Sequence, residues 1–190
     1  MKSAVRKPRS DAAKNRELLI DAAKNVLGQG GPGASLEAVA REAGVGIGTL
    51  YRHFPNREAL FGAVYRHEVE DLIRLAEALR QDADRENALR LWVFALVDLV
   101  QTKRGLLGTL GVVATENTKA IYAELSGRLA EAVGQLLKDG IGASVFRAEI
   151  TAEDLLTSIY AFCYARQPGP EWKASVLRLV EIFLDGVKAP

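Results

Sequence analysis

Apolar residues recur every three or four positions through almost the whole of this chain, and strict alternation never persists beyond a few residues. That periodicity predicts helices throughout and no strand of useful length. The first helix covers about residues 11–27, with Leu18, Leu19, Ala22 and Val26 turned inward, and a run of Gly28, Gly30, Gly31, Pro32 and Gly33 breaks it. A second helix begins after Ser35 and buries Leu36, Val39, Ala40 and Ala43; a short third one ends at Phe54. After Asn56 a long helix carries Leu60, Val64, Val69, Leu72 and Leu79 on its apolar side, until the polar stretch QDADREN, residues 81–87, ends it. The next segment, ALRLWVFALVDLVQTK, is apolar on nearly all sides, which places it at the centre of a core. RGLLGTLGVVA reads as a separate short helix. Helices over about 118–138, 152–166 and 171–187 complete a set of about nine, with the loop GIGASVFRAEI and the turn QPGP between the last three. The fold class is all-α.

Local chemistry singles out residues 35–57, SLEAVAREAGVGIGTLYRHFPNR. Ser35 is placed to cap the second helix, Gly44 to end it in the left-handed region, and Val45 to plug the turn. Pro55 and Asn56 stop the third helix and start the fourth, with Asn56 as cap and Glu58 in its first turn. Two helices joined this tightly form a helix-turn-helix, whose second helix can lie in the major groove of DNA. Few side chains of so short a helix reach base edges. Gly46 and Gly48 leave the backbone bare for close approach, and Ile47 and Thr49 suit a thymine methyl, Thr49 having a hydroxyl for phosphate or base as well. Tyr51 offers a rigid ring with a polar tip, and Arg52 either reads guanine bidentately or grips the backbone. Ser35 supplies a helix N-terminus for phosphate. Leu50 and Phe54 face inward. Glu37 either stabilises the start of its helix or reads a cytosine amino group.

GVGIGTLYRHFPNREAL, preceded by ELLIDAAKNVLGQGG and followed by REALFGAVYRH, resembles the DNA-binding domain of the TetR family of bacterial transcriptional regulators. The resemblance covers roughly residues 12–70; beyond it only length and helical pattern agree. It implies an N-terminal three-helix DNA-binding head and a C-terminal helical domain that binds an effector and dimerises. It also places His53 and Arg57 at positions that contact phosphate. The domains are then a basic arm over residues 1–10, the head over 11–57, and the effector and dimerisation domain over 58–190. A homodimer with heads roughly one helical turn apart, about 34–36 Å, calls for a palindromic operator on double-stranded DNA. Family logic adds a small-molecule effector whose binding releases a repressor.

Charge agrees with that polarity. Residues 1–57 contain ten Lys and Arg against five Asp and Glu, whereas the remainder contains fifteen against nineteen. Positive charge thus gathers at the end that would meet phosphates. Within residues 1–16, Lys2, Arg6, Lys7, Arg9, Lys14 and Arg16 face a single Asp11, which reads equally as a solvated tail or as an arm that touches DNA. The N-terminus lacks the apolar core of a signal peptide and no apolar run is long enough to span a bilayer, so a cytoplasmic chain with no membrane partner is expected. The one cysteine, Cys163, excludes an internal disulfide framework.

The C-terminal helices supply candidates of weaker definition. Trp92, Leu96, Leu110, Tyr122 and Tyr160 can line a mostly apolar effector cavity with a few polar tips. Asp98, amid apolar neighbours, either forms a structural pair with an Arg such as Arg104 or Arg128 or anchors a cationic or hydrogen-bonding effector. Phe162, Cys163, Val176, Val180 and Phe183 exceed what a terminal hairpin on a monomer needs and suit a four-helix dimer interface. The chain has only His53 and His67, and no Cys–His, Ser–His–Asp or metal-spaced cluster, so no catalytic activity, metal or cofactor is expected. The competing reading is a helix-turn-helix protein whose C-terminal domain serves only dimerisation or a protein partner.

Overall fold

The computed structural model describes residues 8–28, 33–111 and 116–190. The N-terminal arm up to residue 7, and Gly30, Gly31 and Pro32 of the first glycine-rich break, lie outside the described residues. Eight helices follow one another: α1 (Pro8–Gly28), α2 (Leu36–Glu42), α3 (Ile47–His53), α4 (Arg57–Leu79), α5 (Arg85–Leu110), α6 (Glu116–Gly142), α7 (Ala152–Tyr164) and α8 (Trp172–Val187). Among the described residues the count is one below expectation, because the first seven residues of RGLLGTLGVVA continue α5. Among the described residues no helix is long and apolar enough to cross a membrane. The chain forms two compact units. One takes in Met1–His67 and Thr102–Thr115, the other Glu68–Gln101 and Glu116–Pro190, so both α4 and α5 contribute to each.

In the first unit, α1 packs on α2 and α2 on α3. The buried stripe of α1 is Leu19, Ile20, Ala22, Ala23 and Leu27. Leu18, expected inside, is 39% exposed, and Val26 is half-buried. Residues 19, 23 and 27 recur every fourth position, and Leu18 lies about 100° around the helix from Leu19. The core is completed by Val39 and Ala40 of α2, Leu50 and Phe54, Leu60, Phe61 and Val64 of α4, and Leu106 and Leu110 of α5. Gly105 lies where α5 meets the end of α1: a Cβ there would fall onto the Gly28 carbonyl. This glycine of the expected short helix is thus a point of backbone contact.

The second unit is built around the middle of α5. Trp92, Leu96, Val97 and Val100 are fully buried there, and the Trp92 indole N–H donates to the Leu72 carbonyl at 2.9 Å. α6 packs on α7 and α7 on α8. Thr151 and Asp154 form a reciprocal capping box that starts α7. Trp172 at the start of α8 is buried and donates its indole N–H to the Cys163 carbonyl at 3.0 Å. α6 ends in a Schellman turn with Ser144 at φ 57, its N–H bonding Ile141 and the Val145 N–H bonding Gly140. The loop that follows pairs with the C-terminal residues through a bridge between Phe146 and Lys188. Glu86 joins the two ends of this unit by accepting from Arg90 at 3.1 Å and Lys188 at 2.6 Å, and the Lys188 ammonium holds its carboxyl below the usual range.

Candidate nucleic-acid interface

The interface is assembled from local signals. Ser35 adopts extended backbone at the N-cap of α2 and its hydroxyl accepts from the Ala38 N–H at 3.1 Å. Gly44, at φ 68, ends the helix: its N–H bonds Arg41 and that of Val45 bonds Ala40. α3 then runs for seven residues from a bare N-cap at Gly46. Asn56 caps α4, its side-chain oxygen accepting from the Ala59 N–H at 2.7 Å. Each of these caps stands where the sequence places it.

α3 is divided cleanly along its length. Leu50 and Phe54 are 1% and 2% exposed and fix the helix to the core, while Tyr51 and Ile47 are 49% and 37% exposed. Gly46, Gly48 and Arg52 are exposed with them, and Thr49 and His53 are half-buried at the edges. Positions 47, 48, 51 and 52 fall on one side of a helix by the i, i+4 rule. One short helix therefore shows solvent a ring, a guanidinium, an aliphatic side chain and bare backbone. Ser35 is half-buried at its cap, and Arg57 is exposed at the start of α4, where its guanidinium donates to the Leu110 carbonyl at 3.0 Å.

Sequence reasoning missed Arg16 at this site. Its guanidinium lies 5.1 Å from the Phe54 ring centroid, a cation–π arrangement that brings a positive charge to the end of α3. The basic run over residues 1–16 carried the signal, but not the partner. Glu37 is exposed in the first turn of α2, where a carboxylate favours the helix dipole.

The C-terminal candidates separate. Trp92 and Leu96 are fully buried in the second unit, with Tyr122 and Tyr160 half-buried there. Burial pushes both phenols up to about 12, and Tyr164 adds to the effect at each. Leu110 belongs to the first unit and is buried there. Asp98 is not interior: its side chain is 53% exposed and its carboxylate pairs with Lys173 at 2.5 Å rather than with Arg104 or Arg128. An all-round apolar helix still has one solvent stripe, and Leu91 and Asp98 mark it.

The proposed dimer set is also corrected. Cys163, Val176 and Val180 are fully buried within the chain's own core, so they have no surface to offer a partner. Phe162 and Phe183 are half-buried and meet edge to face at 5.8 Å. The exposed large apolar residue of α8 is Ile182, at 65%. Among the described residues no group of three or more His, Cys, Asp or Glu is placed to hold a metal ion.

Comparison with known proteins agrees with this geometry. Residues 19–64 match the family model for bacterial regulatory proteins of the TetR family, and residues 84–189 match that for the C-terminal domain of SbtR-like transcriptional regulators. The crystal structure of the TetR transcriptional regulator SCO0520 from Streptomyces coelicolor superposes with a TM-score of 0.76 at 32% identity, over 92% of this chain and 98% of that one. The HTH-type transcriptional activator FasR of Mycolicibacterium smegmatis is 33% identical over 86 residues, 45% of this chain. The HTH-type transcriptional regulator SAR0097 of Staphylococcus aureus is 34% identical over 74 residues, 38% of this chain. Both of these matches span 39% of the relative's own length.

Proposed function

Because the chain belongs to the TetR family of bacterial transcriptional regulators, which act by binding DNA and not by catalysis, we propose that it is a repressor that binds a palindromic operator as a homodimer. In this reading a small molecule bound among the C-terminal helices releases it. The observation that carries the DNA contact is the division of α3: Leu50 and Phe54 fix the helix, and Tyr51, Arg52 and Ile47 are left for the major groove. Arg52 is the base reader, and Ser35, Tyr51, His53 and Arg57 set the register on phosphates.

Release requires an effector that distinguishes two arrangements of the heads, since equal affinity for both shifts nothing. The second unit supplies fitting chemistry. Trp92 and Leu96 give apolar walls, and the Tyr122 and Tyr160 hydroxyls, protonated up to about 12, are donors across the physiological range. A mostly apolar effector with one or two acceptor oxygens suits that set.

The test is selection of genomic fragments by the purified protein, followed by footprinting of the enriched site. A short palindrome protected by two chains supports the proposal, and an asymmetric site bound 1:1 overturns it. A reporter joined to the selected fragment gives the sign: higher output without the regulator means repression, lower output means activation. Ligand-dependent melting then separates an effector-controlled protein from one whose C-terminal domain only dimerises.

A further inference from the structure

Arg57 opens α4, and its Nη1 donates to the carbonyl of Leu110, the final residue of α5, at 3.0 Å. The last turn of a helix leaves carbonyl oxygens without intrahelical donors and carries the negative end of the dipole, so a guanidinium is well matched to it. That turn is closed by Gly111, which sits at φ 60 with its N–H on the Leu107 carbonyl at 3.1 Å, the left-handed form of helix ending. The rest of the segment is fastened down within the first unit. Gly105 lies against the Gly28 backbone, the Thr109 hydroxyl reaches the Leu27 carbonyl at 3.4 Å, and the Lys103 ammonium stands 5.4 Å from the Tyr65 ring centroid.

A guanidinium is planar and its five N–H donors form a fixed fork. Once one donor is engaged by a held carbonyl, the position of the group is held and its orientations are restricted, which favours the exposed remainder for an anion. We propose that the C-terminal turn of α5 positions Arg57 for operator phosphate, so that this contact has its full strength only while the turn is wound around Gly111. The proposal rests on the DNA-binding reading above.

The test uses the full chain and the fragment that the wild-type protein selects. In free protein, Arg57→Gln is expected to raise amide hydrogen exchange of residues 107–111 severalfold; unchanged exchange overturns the contact. Gly111→Val strains the left-handed position without touching the reading face. It should weaken operator binding about five- to tenfold and lower the slope of log affinity against log salt by about 1.8, the value for two phosphates, one at each head of the dimer. Gly111→Asn, which tolerates that backbone, should restore both. In an Arg57→Lys background, Gly111→Val should add little, because the fork it would misdirect is gone. Additive losses, or a Gly111→Val protein of wild-type affinity and slope, overturn the positioning role while leaving DNA binding intact. A wild-type protein that selects no fragment overturns the DNA-binding reading, and this role with it.

Discussion

Gly105 of α5 and Gly28 of α1 touch backbone to backbone: a methyl group on Gly105 would occupy the place of the Gly28 carbonyl. Neither partner is the end of a flexible side chain, so the helices must separate to admit it. Gly105→Ala is expected to destabilise the protein by about 1–3 kcal/mol, as overpacking does. Gly108, one turn further along α5, has open space around its would-be Cβ. There Ala should stabilise by about 0.5–1 kcal/mol through its better helix propensity. Denaturant unfolding of the two variants checks the pair, and equal effects would show that α1 and α5 do not meet at Gly105.

On α3, folding and DNA binding are assigned to different side chains and should come apart on substitution. Arg52→Ala removes an exposed group and is expected to leave the melting temperature unchanged while weakening the operator complex by about 1–3 kcal/mol per half-site, with relaxed preference at one base pair in each. Leu50→Ala empties a site 1% exposed and should cost about 2–5 kcal/mol of stability. Calorimetry and binding titrations on the same preparations separate the two. A uniform loss across all sequences in Arg52→Ala would make Arg52 a phosphate contact instead.

Tyr122 and Tyr160 should titrate late. Burial raises Tyr122 and Tyr160 from the ordinary 10 to about 12 in the folded chain. The unfolded chain gives up these protons first, so above about pH 10 it binds fewer protons than the folded one and stability falls as pH rises. Below pH 10 both states are protonated and the contribution is fully present. Unfolding midpoints are expected to drop between pH 10 and 12, and to drop less steeply in Tyr160→Phe, which has no proton to lose. An ultraviolet titration compared with those of Tyr122→Phe and Tyr160→Phe, in which the phenols lost on substitution ionise near 10, would contradict the burial.

The parts of the structure that were legible in the sequence are those decided within a few residues. Ser35, Gly44 and Asn56 cap or end helices through bonds to neighbours three residues away or nearer, and the buried pair Leu50 and Phe54 follows from helical spacing alone. The parts that were not legible depend on partners far along the chain. Gly105 is only one glycine of an expected short helix until Gly28 stands beside it. Asp98 looks interior because α5 is apolar on most sides, and its exposure is decided by which stripe the other helices leave open. Cys163, Val176 and Val180 carry the same hydropathy whether they face their own core or a partner, and only packing assigned them inward.

That reassignment changes how the dimer is to be tested. With Val176 and Val180 inside, the apolar surface of the C-terminal hairpin that remains for a second copy includes Ile182 and Tyr164 with the half-buried Phe162 and Phe183. A residue as apolar as isoleucine at 65% exposure gains from being covered, and in a twofold arrangement each copy covers its mate with the same patch. Ile182→Glu is expected to yield a folded monomer with unchanged helical content, because the substituted side chain meets solvent in the single chain. Val180→Glu, by contrast, places a carboxylate in a fully buried site and should unfold the protein. Sedimentation equilibrium supplies the mass and circular dichroism the fold. An Ile182→Glu chain that still sediments as a dimer would move the interface away from this face of α8, while a monomer that has also lost operator binding would tie DNA recognition to the pairing of two heads.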